Sequence, residues 1–273
     1  MSSNLITLVT DFGLNDPYVG MMKGVIYQIN PRVKIVDLTH NIPPGAILQG
    51  AFLLKESHGY FPKGTIHLAV VDPGVGTQRK ALLVKTREYY FLGPDNGLLW
   101  PSVVAGGEFR VYSLDRREFF LTDISPTFHG RDIFAPIAGH LSKGMAPEEL
   151  GTPYEGEPKR LEIPRPRGDS EGLKGVVLWV DRFGNLVTNI GLGDIAPLGD
   201  RRELLISIGP VVIKGIRSTF GDVGPGEFLC YWGSMGYLEI GVNMGSAAER
   251  LTNSPNSALG LGVEVKRTQR GDL

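Results

Sequence analysis

Three short polar clusters in the first half of the chain combine residue types that can do chemistry. Thr10-Asp11-Phe12-Gly13 sets a carboxylate at the end of an apolar, β-rich run, with a glycine soon after it. An aspartate so placed can accept two hydroxyl hydrogen bonds from a sugar or bind a metal; it can also serve only as a turn or helix-cap residue. The second cluster, Val71-Asp72-Pro73-Gly74-Val75-Gly76-Thr77-Gln78-Arg79-Lys80, is a tight glycine-rich loop. Within it Asp72 and Arg79 can fold back into contact, and the guanidinium would then pair with the carboxylate and fix its orientation. A structural ion pair bracing the loop is the alternative. As a phosphate loop it fits poorly, because the Gly-Lys-Ser/Thr ending is missing. The third cluster is Thr127-Phe128-His129-Gly130-Arg131-Asp132. His129 stands just before a predicted helix with a glycine beside it, which suits an imidazole presented to a cleft, and equally a capping or packing residue.

Asp11, Asp72, Asp95, His129 and Asp132 offer oxygen and nitrogen donors, yet no His-x-x-x-His or Asp-x-Asp spacing supports a metal centre. No metal and no cofactor is expected. The Gly-x-Ser-x-Gly match at 168–172 lies in the proline-rich linker rather than at a strand-to-helix turn, and no cysteine lies near His129, which disfavours covalent catalysis. The remaining histidines, at 40, 58, 67 and 140, lack comparable polar company and read as surface or core residues. In the second half, Asp181-Arg182-Phe183-Gly184-Asn185 places an acceptor, an aromatic ring and an amide within one loop. That set could read an amino group and a heteroaromatic base, or be a plain Gly-Asn hairpin. Gly233-Ser234-Met235-Gly236 offers small residues and free amides to a carboxylate, or is simply another turn.

The elements that must carry these clusters follow from the apolar patterning. Leu5 to Thr10, Val33 to Leu38 and Thr65 to Val71 are near-continuous apolar strands, alternating with helical spacing over Val19 to Ile29 and Ala46 to Ser57. That alternation predicts an α/β domain over residues 1–150 with a mainly parallel central sheet, buried on both faces. Asp11 and Asp72 then lie at carboxyl ends of strands, the usual ligand site of such sheets. Ala81 to Thr86, Tyr89 to Leu92 and Glu108 to Tyr112 read as further strands, and Arg131 to Leu141 as a helix that Pro136 starts or kinks. Residues 151–172 hold four prolines and little periodicity, predicting an extended linker. Residues 173–273 show short, turn-bounded strands at 175–181, 186–190, 203–208, 211–213, 227–232, 237–242 and 261–266, without convincing helices, so a smaller all-β, barrel-like domain is expected.

Composition narrows the function classes. The 273 residues carry 28 Lys and Arg against 29 Asp and Glu, and no basic run that would bind nucleic acid by counterion release. No apolar stretch reaches the roughly 20 residues of a membrane helix, and the first residues lack a signal-peptide layout, so a cytoplasmic protein is expected. The single cysteine, Cys230, lies in an apolar run and reads as a buried, inert thiol. Thirty-seven glycines and 19 prolines, scattered without period, imply many tight turns.

TDFG at 10–13, VDPGVGTQR at 71–79, GPDNGLLWP at 93–101, FHGRDIFAP at 128–136, DRFGNLVTN at 181–189 and GYLEIGVNMG at 236–245 occur together and in order. On these motifs the chain resembles the S-adenosyl-L-methionine hydroxide adenosyltransferase family, relatives of the fluorinases and chlorinases, from about residue 5 to residue 265. The resemblance implies an N-terminal α/β domain, a C-terminal β-barrel and a homotrimer with active sites at subunit interfaces. It implies hydrolysis of S-adenosyl-L-methionine to adenosine and L-methionine by attack of water or hydroxide on C5′, without metal or cofactor. It also assigns Asp72, Arg79 and His129 to water handling and Asp11 to the ribose hydroxyls. Asp181 is implied as acceptor for the methionine amine, Ser234 as a carboxylate contact and Asn185 as an adenine contact. Phe183 or Phe220 would flank the base, and backbone near Val242 to Met244 would meet its edge. Where some relatives have an arginine after the serine, this chain has Met235. Halide-dependent synthesis of a 5′-halo-adenosine is the rival reading; a carboxylate at Asp72 disfavours it by repelling a halide. A non-catalytic S-adenosylmethionine-binding module is the third.

Overall fold

Runs of β-branched and leucine residues build the strands of the computed structural model, which describes residues 4–168, 171–252 and 254–268. Leu5–Thr10 (β1), Lys34–Thr39 (β2) and Ile66–Val70 (β3) alternate with Tyr18–Ile29 (α1) and Ile47–Ser57 (α2). In α1 the buried side chains are Val19, Met22, Val25 and Ile26, one stripe at helical spacing. Ala81–Thr86 (β4), Tyr90–Pro94 (β5), Trp100–Ala105 (α3) and Phe109–Ser113 (β6) follow. A π-helical turn, Gly130–Phe134, runs into Ala135–Ser142 (α4), with Pro136 in the first turn of that helix. Helical backbone continues through it from the π-turn, whose Gly130 carbonyl accepts the Ala135 amide, so Pro136 lies within one helical run where the π-helix gives way to the α-helix. Pro147–Leu150 (α5) and Thr152–Pro153 (β7) complete the unit.

Its sheet has the order β2-β1-β3-β5-β4-β6-β7. Pairing is parallel from β2 through β1 and β3 to β5, as the alternating pattern predicts. Beyond β5 it is antiparallel, which corrects the expectation of a mainly parallel sheet for that half. The reason is chain length: only residues 87–89 join β4 to β5, whereas a parallel crossover needs about a dozen or more. Met22 and Ile26 of α1 and Ile137 of α4 pack with Ile6, Leu8 and Leu68 in one core. Ala51 and Leu54 of α2 and Val103 of α3 pack with Val9, Ala69 and Phe91 in the other. The sheet is therefore sandwiched between helices, and its strand ends are the free positions for polar residues.

Chain contacts divide the molecule into two compact units, one running to Glu162 and the other from Ile163. The proline-rich segment between the two is not uniformly free of secondary structure. β7 pairs with β6, and Asp95 accepts hydrogen bonds from the Lys159 amide (2.7 Å) and the Tyr154 hydroxyl (3.2 Å), which dock that stretch onto the first unit. Further on, Arg167–Gly168 (β8) pairs with the first strand of the second unit.

The second unit consists of Gly172–Val180 (β9), Leu186–Gly191 (β10), Leu192–Ile195 (α6), Leu204–Ile208 (β11), Val211–Lys214 (β12), Ile216–Arg217 (β13), Phe228–Trp232 (β14), Tyr237–Val242 (β15), Ala247–Leu251 (α7) and Gly262–Arg267 (β16). Its strands follow the path β12-β11-β16-β9-β10-β15-β14-β13, and β12 comes back toward β14, giving a nearly closed barrel-like sheet. Strict alternation on β11 sends Leu204, Ile206 and Ile208 inward, where they meet Leu186, Ile240 and Val265. Cys230 is in this core, and burial pushes its thiol pKa up, consistent with an inert side chain. Residues 1–3, 169–170 and 269–273 of the expected domains and linker lie outside the described residues, as does Asn253. Among the described residues no helix is long and apolar enough to cross a membrane.

Candidate active site

β1 and β3 are parallel neighbours with Thr10 beside Val70, so the acidic residues that follow each strand emerge at one edge of the sheet. Asp11 and Asp72 both line a cleft of about 330 Å³, together with Phe12, Tyr18, Val75, Phe128 and His129. Phe12, Tyr18 and Phe128 pack edge to face at centroid distances of 5.3 to 6.3 Å and form an aromatic wall.

The loop after β3 folds Arg79 back onto Asp72. Nε donates to Oδ2 at 2.9 Å and Nη2 donates to the same oxygen. Both side chains are almost wholly withdrawn from solvent, at 6% and 4% exposure. The other carboxylate oxygen, Oδ1, is buried with no hydrogen-bond partner among the described residues. Arg79 Nη2 also lies 2.8 Å from His129 Nδ1. A guanidinium has no lone pair to offer, so Nδ1 is the acceptor, the imidazole is neutral and its proton is on Nε2. The same environment, burial first and then the Arg79 charge, holds the His129 pKa below its ordinary value.

Two backbone features place His129 against that pair. Gly76, at φ +77°, approaches the Pro126 carbonyl so closely that an added Cβ would lie 2.3 Å from its oxygen. Only glycine permits the loops to meet there. The π-helical turn then carries Asp132, fully buried, whose Oδ2 accepts from the Ser125 amide at 2.7 Å and pins the segment preceding His129. On the other side of the cleft Asp11 Oδ2 accepts from the Gly45 amide at 2.8 Å. Burial raises the Asp11 pKa, the Gly45 hydrogen bond opposes that rise, and the negative Asp72 adds to it.

In the second unit the loop joining β9 to β10 is an Asx-type turn. Asp181 Oδ1 accepts from the amides of Phe183 (2.8 Å) and Asn185 (2.9 Å), and Oδ2 accepts from Asn185 Nδ2 (2.8 Å). Asn185 is buried and Phe183 exposed. Gly241 brings its backbone against Asn185 and the Phe220 ring, which lies 4.8 Å from Tyr231. Tyr231 donates to Glu239 at 2.6 Å; burial, with a further contribution from Asp181, raises the Glu239 pKa. Ser234 is exposed on the turn between β14 and β15. Val242 has its side chain in the core, while Met244 is exposed and takes φ +55°, the one non-glycine residue in that region among those described.

The structure thus brings Asp11, Asp72 and His129 to one cleft, with Arg79 bound to the last two, and Asp181 and Asn185 to one turn. Sequence reasoning missed the cleft wall at Phe12, Tyr18 and Phe128, although the aromatics inside TDFG and FHG are a visible signal. It also missed Asn96, whose Nδ2 holds the Val71 carbonyl at 2.8 Å and so fixes the strand end before Asp72. Among the described residues no group of three or more His, Cys, Asp or Glu side chains is arranged to hold a metal ion.

Comparison with known proteins covers both units. Residues 6–151 match the SAM hydroxide adenosyltransferase N-terminal domain and residues 175–259 its C-terminal domain. The (R)-S-adenosyl-L-methionine hydrolase of Salinispora tropica is 39% identical over 256 residues, spanning 93% of this chain and 96% of its own. A fluorinase from an Actinoplanes species is more distant, 28% identical over 294 residues, spanning 96% of this chain and 97% of its own. The crystal structure of an uncharacterized conserved protein from Thermotoga maritima superposes with a TM-score of 0.87 at 37% identity, over 96% of this chain and all of that one. The chain belongs to the SAM hydroxide adenosyltransferase family.

Proposed function

We propose that this protein hydrolyses S-adenosyl-L-methionine to adenosine and L-methionine by attack of water on C5′ of the ribose. The observation that carries the reading is the Asp72–Arg79–His129 set, in which one buried carboxylate oxygen is left uncommitted beside a neutral imidazole. Greater identity to a hydrolase than to a fluorinase supports it. The reaction asks little of the protein beyond alignment and a proton acceptor. The water oxygen forms the new bond to C5′, the C5′–S bond breaks, and its electron pair stays on sulfur. The sulfonium departs as a neutral thioether, so no acid is needed for the leaving group.

The tautomer of His129 divides the labour. With its proton on Nε2, the imidazole donates a hydrogen bond that orients the water. Asp72 Oδ1 accepts the water proton as attack proceeds. Arg79 occupies Oδ2 and Nδ1 together, which fixes the two groups relative to each other. Pre-organisation of this kind is worth several kcal/mol of barrier. Asp11 receives the ribose hydroxyls, and the aromatic wall keeps the reacting centre poor in water. In the second unit Asp181 serves the amino group, Ser234 the carboxylate, and Asn185, Phe183 and the backbone from Val242 to Met244 the adenine.

The working form is proposed to be a homotrimer with active sites at subunit interfaces. Exposed Leu14, Tyr18 and Met21, before and on the first turn of α1, where Tyr18 lines the cleft, support an interface there. A cytoplasmic setting suits a chain with one buried, unpaired cysteine. The test is turnover in ¹⁸O-labelled water without added metal. Equal release of adenosine and methionine, with the label in the 5′-hydroxyl, is expected. An unlabelled nucleoside, a 5′-halo product that needs added halide, or binding without turnover overturns the reading.

A further inference from the structure

Besides the Gly45 amide on Asp11 itself, the strand-end loop that carries Asp11 is held by His40, which lies outside the cleft lining. Its ring is buried and its Nδ1 lies 2.8 Å from Thr10 Oγ1. Thr10 Oγ1 also accepts the Phe12 amide at 3.2 Å, and the Asp37 carboxylate beside the other ring nitrogen draws the ring proton to that side, which leaves Nδ1 to take the Thr10 hydroxyl proton. Nδ1 is therefore the acceptor and the ring proton sits on Nε2. That nitrogen lies 3.0 Å from Asp37 Oδ1, close enough for electrostatic attraction though misaligned for a full hydrogen bond. Asp37 Oδ2 in turn takes Lys23 Nζ at 2.5 Å. The main chain of His40 completes the clamp, because its carbonyl accepts the Gly13 amide at 2.8 Å. Residues 10 to 13, with Asp11 in the middle, are thus fastened at both ends to His40, and the polarity of the chain runs one way from the Phe12 amide to Asp37.

We infer that His40 is a positioning residue for the nucleoside end of the site: through Thr10 it sets the direction in which Asp11 presents its carboxylate to the two ribose hydroxyls. The inference rests on the ribose reading of Asp11 given above. His40 does not line the cleft, so its loss should act on a ligand only through those hydroxyls. A residue that merely supports the fold would weaken every ligand alike.

The experiment measures calorimetric affinity for adenosine and for 2′,3′-dideoxyadenosine in the full chain. The wild-type protein is expected to prefer adenosine. His40→Leu keeps the backbone bond to Gly13 but removes the ring acceptor; it should weaken adenosine about tenfold, the worth of one well-aligned hydrogen bond to a charged partner, and change dideoxyadenosine less than about twofold. His40→Asn, whose side-chain oxygen can accept the Thr10 hydroxyl, should recover most of the loss. Thr10→Val deletes the same bond from the other end and should reproduce the selective effect; it decides the matter if His40→Leu fails to fold. In turnover the change should appear in KM far more than in kcat. Equal weakening of both ligands, or unchanged discrimination in His40→Leu and Thr10→Val, overturns the role of His40. A wild-type protein that does not distinguish the two nucleosides overturns instead the ribose reading of Asp11, and the inference with it.

Discussion

Replacing Asp72 by asparagine removes the charge and the proton-accepting power of the side chain while keeping its shape. In the native site Oδ2 takes two donors from Arg79 and Oδ1 takes none from the protein. The amide oxygen of asparagine will turn toward Arg79, since the opposite orientation would face donor to donor. The amide NH₂ then stands where Oδ1 stood, and a donor replaces an acceptor at the position of the attacking water. Loss of a general base costs about 10² to 10⁴ in rate, which is about 3 to 5 kcal/mol at 1.36 kcal/mol per decade.

Binding should suffer much less. Arg79 keeps a hydrogen-bonded partner but its buried charge loses its counter-ion, so part of the roughly 3–5 kcal/mol that follows the breaking of a buried ion pair should appear as lower folding stability rather than as weaker substrate binding. The substrate Kd should move by less than about tenfold. Single-turnover kinetics with saturating substrate report the chemical step, and calorimetry reports the binding. A variant that retains kcat within about fivefold of wild type refutes the assignment of the proton to Asp72. So does a loss of kcat/KM that is wholly accounted for by Kd.

Three further outcomes follow from other residues. Gly76→Ala should reduce turnover at least about tenfold, because the new methyl meets the Pro126 carbonyl and drives the Arg79 loop from His129; unchanged kcat would mean the two loops need not touch. The acid limb of kcat/KM should fall below pH 6.5 and never rise toward low pH, since the His129 pKa is lowered and protonating Nδ1 breaks its bond to Arg79; His129→Gln should change that limb, and an unchanged limb would assign it elsewhere. Buried His67, held at a pKa of about 3 by burial and then the His58 charge, should lower folding stability as pH drops. The unfolded chain takes up the proton first as pH falls through 6.5, so each pH unit below that removes about 1.4 kcal/mol until the folded pKa is reached. Chemical denaturation of the Thr7→Val/His67→Phe double variant, which removes both ends of their 2.7 Å hydrogen bond, should show a shallower acid dependence than wild type.

The parts of the fold that are legible in the sequence are those whose signal is local. Continuous apolar runs mark β1 and β3 because both faces of that sheet are covered, and the stripe of Val19, Met22, Val25 and Ile26 marks α1. Pairing direction is not local, and so the antiparallel arm was missed. The two-residue strands β7, β8 and β13 exist only because a longer strand lies alongside them, and α3 is short and has Pro101 in its first turn. The candidate site divides in the same way. Asp11, Asp72, Arg79 and His129 announce themselves through glycine-flanked motifs, whereas His40, between Thr39 and Asn41, has nothing in its own run that points to Asp11. Its significance arises from Thr10, 30 residues away in sequence and 2.8 Å away in space.

Charge ties these observations to the proposed chemistry. With a neutral imidazole, the cleft is lined by the carboxylates of Asp11 and Asp72, the guanidinium of Arg79 is bound to Asp72, and the negative Asp72 contributes to the raised Asp11 pKa. A sulfonium is the kind of ligand that relieves this repulsion, because its positive charge meets the excess acid in a partly water-excluded space. In the proposed reaction, attack on C5′ cancels that charge at sulfur while the water proton passes to Asp72. Substrate is thus favoured by an attraction that the thioether product no longer provides. On this reading, the acid pair that raises the Asp11 pKa selects a cation on entry and weakens the hold on methionine once the bond is broken.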